Sequence, residues 1–271
     1  ATPASTHHDL GMQAIAHGKH VLMEKPLALD STSGTELVAS ARREGVLLAV
    51  DHTFVFTGAV RKLRELVSDE ELGRLLFFDS IRVNLGIVQP DVNVHWDLAV
   101  HDLSILQYVT GKTPIAVSAT GQAHPPSTHP STAYMTLFYE DDFIAHVGTS
   151  WMSPVKVRRS LLSGTKKMAV YDDLDASEQV KVYDSGLEKT LDNDSGYKRL
   201  SEPRTGDMVA PKLDRREALT AEIDHLADCL RGEAELLASG QCGLEIINIL
   251  EAATQSLKAN GAPIEIVDLL L

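Results

Sequence analysis

The residues of this sequence best placed to do chemistry are Lys25, Asp97 and His101. Lys25 closes the stretch "HVLMEKPLA", in which the apolar run Val21-Leu22-Met23 stops abruptly at an acid, a base and a proline. Such a run suits a short parallel strand whose C-terminal end is a working edge, the place where open α/β sheets carry their sites. Pro26 keeps Lys25 out of the helical region and fixes the chain direction there. The amine is thereby aimed outward, able to donate to a substrate hydroxyl or to take part in proton transfer. The tripeptide alone fits an exposed loop lysine better than an active one.

Asp97 and His101 stand four residues apart in "NVHWDLAVHDLSIL". On a helix this spacing puts both side chains on one face, with Cβ atoms about 5–6 Å apart. A carboxylate beside an imidazole suits a histidine that takes the proton of an alcohol, or returns it in the reverse direction. Two plainer roles compete. Asp97 can serve the first turn of a helix, where negative charge is favoured, and His101 can be a satisfied core histidine. The spacing is also that of metal ligands, with His95, His52 and His7 available to complete a set.

These residues need a scaffold. The pattern predicts a helix over Ser5 to Ala16 stopped by Gly18, a strand over His20 to Met23, a helix capped by Asp30 or Ser31 and ended at Glu44 by Gly45, and a strand over Val46 to Val50. Gly-terminated helices alternating with short apolar strands are βαβ units around a parallel sheet. Beyond Asp51 the texture changes: a helix over Ala59 to Val67, a long strand over Arg74 to Leu85 and a helix over Trp96 to Val109 are expected. Strands then follow over Ile115 to Gln122, Ala133 to Tyr139, Phe143 to Trp151, Val155 to Leu162 and Met168 to Tyr171, with short links that favour antiparallel neighbours. Residues 185–213 are polar and are expected to be a surface excursion. Helices over Arg216 to Arg231 and Leu244 to Lys258, then a strand over Pro263 to Val267, close the chain.

Bulk properties remove several functions. At 271 residues the chain can bury a large core, and its formal charge of -13, with no basic run longer than a pair, argues against nucleic acid and anionic membranes as partners. No run approaches about 18 consecutive apolar residues. The two cysteines, Cys229 and Cys242, match no metal or redox spacing and are expected to be reduced core thiols of a cytoplasmic protein, with no resident metal.

The conjunction of motifs is more specific than any one of them. "TPASTHHDLGMQAIAHGKHVLMEKPLAL" resembles the TP-x3-H and GKHV-x2-EKP pattern of the Gfo/Idh/MocA family, the glucose-fructose oxidoreductase and inositol dehydrogenase group. "WDLAVHDLSIL" resembles that family's D-x3-H helix, and "HTFVFTGAVRKLRELV", "DVNVHWD" and "SWMSPVKVRRSLLSGTKKMAVYDDL" extend the likeness over nearly the whole chain, toward sugar and nucleotide-sugar dehydrogenases. The resemblance implies an α/β chain: a partial Rossmann-type parallel sheet over residues 1–50, then over 51–271 an α+β substrate-binding and oligomerisation domain with a large open, mainly antiparallel sheet.

It further implies hydride transfer between a secondary alcohol of a sugar, cyclitol or nucleotide-sugar and NAD or NADP. Lys25, Asp97 and His101 match the family's catalytic positions. Thr2, Pro3, His7, Glu24 and Lys25 match those that flank the cofactor, and a homodimer or homotetramer is expected. Lys25 would stabilise the developing alkoxide, His101 take its proton and Asp97 hold the imidazole; the alternative, with Lys25 as base and His101 only positioning, stays open. The substrate contacts expected are His52, Asn93, Trp96 and Arg158, the last because a guanidinium can pair with a carboxylate or phosphate.

One departure stands out. The family opens with a strand and a G-x-G-x-x-G turn that holds the cofactor pyrophosphate, and no G-x-G pair occurs in this sequence. The opening "ATPASTHHDL" reads as the middle of a fold, with roughly 70 to 90 residues of βαβ units expected ahead of it and cofactor binding correspondingly impaired. Pro26 is expected to follow a cis peptide. The competing expectation is a non-catalytic sugar-binding or assembly module of the same fold.

Overall fold

The computed structural model describes residues 2–86, 88, 92–189 and 201–266. Its first part is built as the pattern requires. Helix α1 (His7–Ala16) leads through Gly18, at φ 65°, into strand β1 (Val21–Met23), and helix α2 (Ser31–Glu44) into β2 (Leu48–Val50). Asp30 caps α2 by accepting from Ser33 N–H at 2.7 Å, and Gly45, at φ 64°, ends it in the left-handed region that favours glycine. β1 and β2 pair in parallel, Val21 opposite Leu48 through Met23 opposite Val50, so both strands end at the same edge.

That edge is held from behind by α6 (Gly240–Lys258), which starts a full turn before the expected Leu244. Glycines at 240 and 243 let the helix approach β2 closely. A Cβ on Gly240 would fall 2.7 Å from Leu48 Cδ2, and one on Gly243 2.7 Å from Val50 Cγ2. Ser239 caps this early start by accepting from Cys242 N–H.

Beyond a short 3-10 helix, Thr53–Phe56, helix α3 (Gly58–Ser68) precedes β3 (Leu75–Leu85), and helix α4 (Val100–Thr110) follows one π-helical turn, His95–Ala99. The strands β4 (Ala116–Gln122), β5 (Thr132–Phe138), β6 (Ile144–Ser150), β7 (Met152–Gly164), β8 (Met168–Asp172) and β9 (Val180–Tyr183) come next. Together with β3, β12 (Met208–Val209) and β13 (Ile264–Glu265) they form a nine-stranded sheet in the order β12-β9-β8-β7-β3-β6-β5-β4-β13. The sheet is mainly antiparallel, as expected; β3 and β6 are its parallel pair. Period-two burial along β3 sends Phe78, Ser80 and Arg82 inward and Asp79 and Ile81 outward.

The expected excursion over 185–213 is corrected in part. β10 (Gly186–Lys189) pairs with β11 (Ser201–Arg204), and β12 joins the large sheet. Segments this short and polar carry no readable period. Residues 190–200, and the end of the expected final strand at 267, lie outside the described residues. The last helix pair also includes α5 (Ala218–Leu230), which packs Ala221 against Val55 and Phe56. Among the described residues no helix is long and apolar enough to cross a membrane.

Candidate active site

The site is assembled where β1 ends. Leu27 and Ala28, buried just after the cis Lys25–Pro26 bond, anchor the turn, and the His7 ring bridges it to the chain start, with Nδ1 2.8 Å from Pro26 O and Nε2 3.1 Å from Thr2 O. His7, 1% exposed, therefore ties Thr2, Pro3 and the Lys25 turn together and has no ring nitrogen left over for a cofactor. Lys25 Nζ reaches across to the π-helical turn, donating to Asp97 O at 3.0 Å and to Asp97 Oδ1 at 3.2 Å. Asp97 Oδ2 accepts from the Trp151 indole Nε1–H at 2.9 Å. The Lys25 and Asp97 side chains are 23% and 25% exposed, so the pair is reachable from solvent.

This arrangement corrects one expectation. Asp97 does not hold His101; its two oxygens serve Lys25 and Trp151. The four-residue spacing places two side chains together only in an α-helix, and the π-helical turn at His95–Ala99 widens the winding and re-aims Asp97 toward β1. His101 lies beside the pair instead of on it. Its ring packs edge-on against Phe54 at 5.1 Å, and its Nδ1 is buried without a protein partner.

Phe54 is shared. The Arg82 guanidinium sits 4.6 Å from its ring centroid and that of Arg158 5.9 Å, Arg82 and Arg158 being opposite one another on β3 and β7. Arg82 is in turn fixed by Asp102, with Nε–H donating to Oδ2 at 2.6 Å and Nη2 to Oδ1 at 3.3 Å, while Ser80 Oγ donates to Asp102 at 2.7 Å. Burial opposes the Arg82 charge, yet Asp102 holds its pKa above the ordinary value. Arg158 donates to Asp173 at 3.1 Å and keeps a buried Nε–H without a protein partner.

Burial first, and then the cations Arg82, Lys25 and Arg158 with His52, hold His101 well below the usual 6.5. His52 is pushed down to about 4 and His95 to about 3, burial again being the main cause. Each of these histidines binds a proton more readily unfolded than folded, so stability rises with pH across the window. We therefore expect stability to fall as pH drops from about 6.5 to about 4, at about 1.4 kcal/mol per pH unit for each group so held. Urea midpoints at several pH values check this; a flat profile through that window, or an unchanged slope in His52→Asn, would contradict it.

The remaining expected contacts fall elsewhere. Asn93 takes the His95 N–H on its Oδ1 at 2.9 Å, and both Asn93 and the Trp96 indole donate to Thr254 Oγ1 on α6, at 3.4 and 3.0 Å. Their polar groups are used within the fold. His52 is 2% exposed and lines a cavity of about 100 Å³ with Val55, Ser104, Gln107, Tyr108, Leu237, Ala238 and Cys242. His95 bonds to Thr149 Oγ1, and among the described residues no group of three or more His, Cys, Asp or Glu is arranged to hold a metal. Trp151 is the site residue that the pattern missed. It stands where the chain passes from β6 to β7 over the end of β3, and Gly86 admits it, since a Cβ there would lie 2.6 Å from the indole Cδ1.

What the site can do follows from its free donors. A lysine ammonium has three N–H bonds, and two are used on Asp97, which leaves one for an oxygen brought to the site. The uncharged His101 ring is available as a proton acceptor. Glu24 and Lys25 follow β1 at the end it shares with β2, the edge at which open α/β sheets carry their ligands. The glycine-rich turn for a dinucleotide's pyrophosphate has no counterpart among these residues.

Known proteins share this arrangement of elements. Residues 1–52 match a family model described as the Gfo/Idh/MocA oxidoreductase family with an NAD-binding Rossmann fold, and residues 60–170 match the C-terminal domain of the same group. A UDP-N-acetylglucosamine 3-dehydrogenase of Acidithiobacillus ferrooxidans is 26% identical over 250 residues, covering 91% of this chain and 74% of that protein. Its solved structure superposes with a TM-score of 0.76 at 24% identity over 96% of this chain and 76% of the other, a likeness of fold. The NADP-dependent scyllo-inositol 2-dehydrogenase IolW of Bacillus subtilis is 25% identical over 277 residues, covering 95% of this chain and 75% of its own.

Proposed function

The chain belongs to the Gfo/Idh/MocA oxidoreductase family, and from that premise we propose that it oxidises a secondary alcohol of a sugar, cyclitol or nucleotide-sugar, or runs the reverse reduction, with NAD or NADP. The observation that carries this is the Lys25–Asp97–Trp151 chain of hydrogen bonds at the end of β1, with the His101 ring alongside. A bound dinucleotide would supply the hydride acceptor, and Glu24 with the Thr2-Pro3 turn that His7 holds would flank its nicotinamide end.

The rest is the work of side chains. Asp97 fixes the Lys25 ammonium by charge and by two hydrogen bonds, and Trp151 fixes Asp97, so the third N–H of Lys25 points at a defined place. A hydroxyl oxygen bound there gains negative charge as its proton leaves, and a preorganised cation is what such an oxygen needs. His101, held uncharged by burial and by Arg82, takes the proton through its ring. Arg158 lines the same wall and is suited to a carboxylate or phosphate of the substrate. The nucleotide-facing unit is residues 1–50 and the substrate-facing unit 51–271. The outward sheet face bearing Ile81, Tyr134, Ile144 and Val155 is suited to a homodimer or homotetramer.

Purified protein mixed with a panel of sugars, inositols and nucleotide-sugars, and with NAD or NADP in large excess because no glycine-rich turn is present to hold the pyrophosphate, is expected to produce reduced cofactor, read by absorbance, with at least one class. Absence of turnover with every class and both cofactors, while sugars still raise the melting temperature, would favour a silent binding module.

A further inference from the structure

Phe54 belongs to the short 3-10 helix between β2 and α3, and the backbone on either side of it is fixed. Val55 N–H donates back to His52 O at 3.0 Å. Thr57, the cap of α3, donates to Phe54 O from its N–H at 3.1 Å and from Oγ1–H at 2.8 Å. Val55 and Phe56 are buried in a small cluster with Ala221 and Ala238, whereas the half-buried Phe54 ring packs on the main core at the site. Three groups meet that ring. The His101 imidazole stands edge-on with centroids 5.1 Å and planes 60° apart, the Arg82 guanidinium lies 4.6 Å from the ring centre and that of Arg158 5.9 Å. Arg82 and Arg158 are register partners on adjacent antiparallel strands, so both leave the same face of the sheet, where like charges side by side repel. An aromatic face attracts both cations and offsets that repulsion. His101 Nδ1 has no protein partner, so packing orients the imidazole, and its aromatic contact among the described residues is Phe54.

We propose that Phe54 is a positioning residue whose ring sets the orientation of the His101 imidazole and the place of the Arg158 guanidinium relative to it. A proton acceptor and an anion-binding group are then held at a fixed separation across one aromatic ring. This favours substrates whose negative group, a carboxylate or a phosphate, is attached to the oxidised sugar itself. The effect on turnover rests on the alcohol-oxidation proposal above; the placing of the two side chains does not.

NMR titration of the His101 imidazole, with no substrate or cofactor, tests the first part, its signal being assigned by its loss in His101→Asn. Phe54→Leu keeps apolar bulk and removes the aromatic face, and Phe54→Tyr keeps the ring. In Phe54→Leu the signal should move and its protonation midpoint should rise toward the usual 6.5, because cover is lost. Lys25 after β1, His52 before the 3-10 helix, Arg82 on β3 and Arg158 on β7 still face the ring and oppose its charge in both proteins. Phe54→Tyr should match wild type. Identical signals and midpoints in wild type and a Phe54→Leu protein shown to be folded by circular dichroism would overturn the positioning of His101. With a substrate found in the panel, Phe54→Leu should lower kcat by up to about 100-fold, the cost of a misplacement near 1 Å. It should also raise KM for a uronate or a sugar phosphate, each assayed separately, and leave KM for a neutral sugar unchanged, with Phe54→Tyr restoring both constants. A lower kcat with every KM unchanged is what mere loss of folded protein gives, and it would overturn the placing of Arg158. Wild-type protein without turnover would count against alcohol oxidation, and the imidazole titration would still decide the role of Phe54.

Discussion

Replacing Lys25 by Met should lower turnover by about 10²- to 10⁴-fold, the range associated with losing a positioned acid–base or oxyanion-stabilising group. Met keeps most of the length and removes the charge. Asp97 then loses the partner at 3.2 Å on Oδ1 and keeps Trp151 on Oδ2, and since both side chains of the Lys25–Asp97 pair are about a quarter exposed, water satisfies the vacated oxygen. The fold should therefore survive, and cofactor affinity should stay within a few-fold. Steady-state rates, a circular dichroism spectrum and a calorimetric cofactor titration on the same preparation check these points together. Unchanged turnover would remove Lys25 from the mechanism.

Arg82→Met should give the largest loss of stability. Arg82 and Asp102 are each 3% exposed at the side chain and meet in a two-point pair behind Phe54. Taking away the guanidinium strands a carboxylate in the core, held only by Ser80, at a cost of about 3–5 kcal/mol. Converting both partners, Arg82→Met with Asp102→Leu, should recover much of that loss, because no charge is then left unpaired. Urea midpoints of the single and double variants decide it. A single variant within about 0.5 kcal/mol of wild type would show that this pair is not buried as described. The same change removes one of the cations that keep His101 uncharged, so His101 should protonate more readily in Arg82→Met, visible by NMR titration of the imidazole.

The parts of the site that were legible in the sequence are those set by local rules. An apolar run broken by Glu24-Lys25-Pro26 can only end a strand, and glycines at 18 and 45 mark helix ends where φ turns positive. Lys25 was found that way. Asp97 and His101 were found by spacing, but their relation was not, because a π-helical turn leaves no trace in residue types and rotates Asp97 from His101 to Lys25. Trp151 and Asp102 were invisible for another reason. Their roles come from a crossing of β6 into β7 over β3 and from a side chain on β3 facing α4, contacts between residues far apart in sequence. Asn93 and Trp96 were picked out as neighbours of Asp97 in sequence; that Thr254, more than 150 residues on, takes their hydrogen bonds has no local signal. The early start of α6 at Gly240 was hidden for the same reason: glycines 240 and 243 serve close packing on Leu48 and Val50, contacts far apart in sequence.

The most direct test of the central claim is the fate of deuterium placed on the carbinol carbon of a substrate found in the panel. If Lys25 and His101 serve alcohol oxidation, the label should appear on the nicotinamide ring of the reduced cofactor, and the Lys25→Met variant should transfer it far more slowly. Label that stays on the sugar, or is lost to water with no reduced cofactor formed, would contradict hydride transfer at this site.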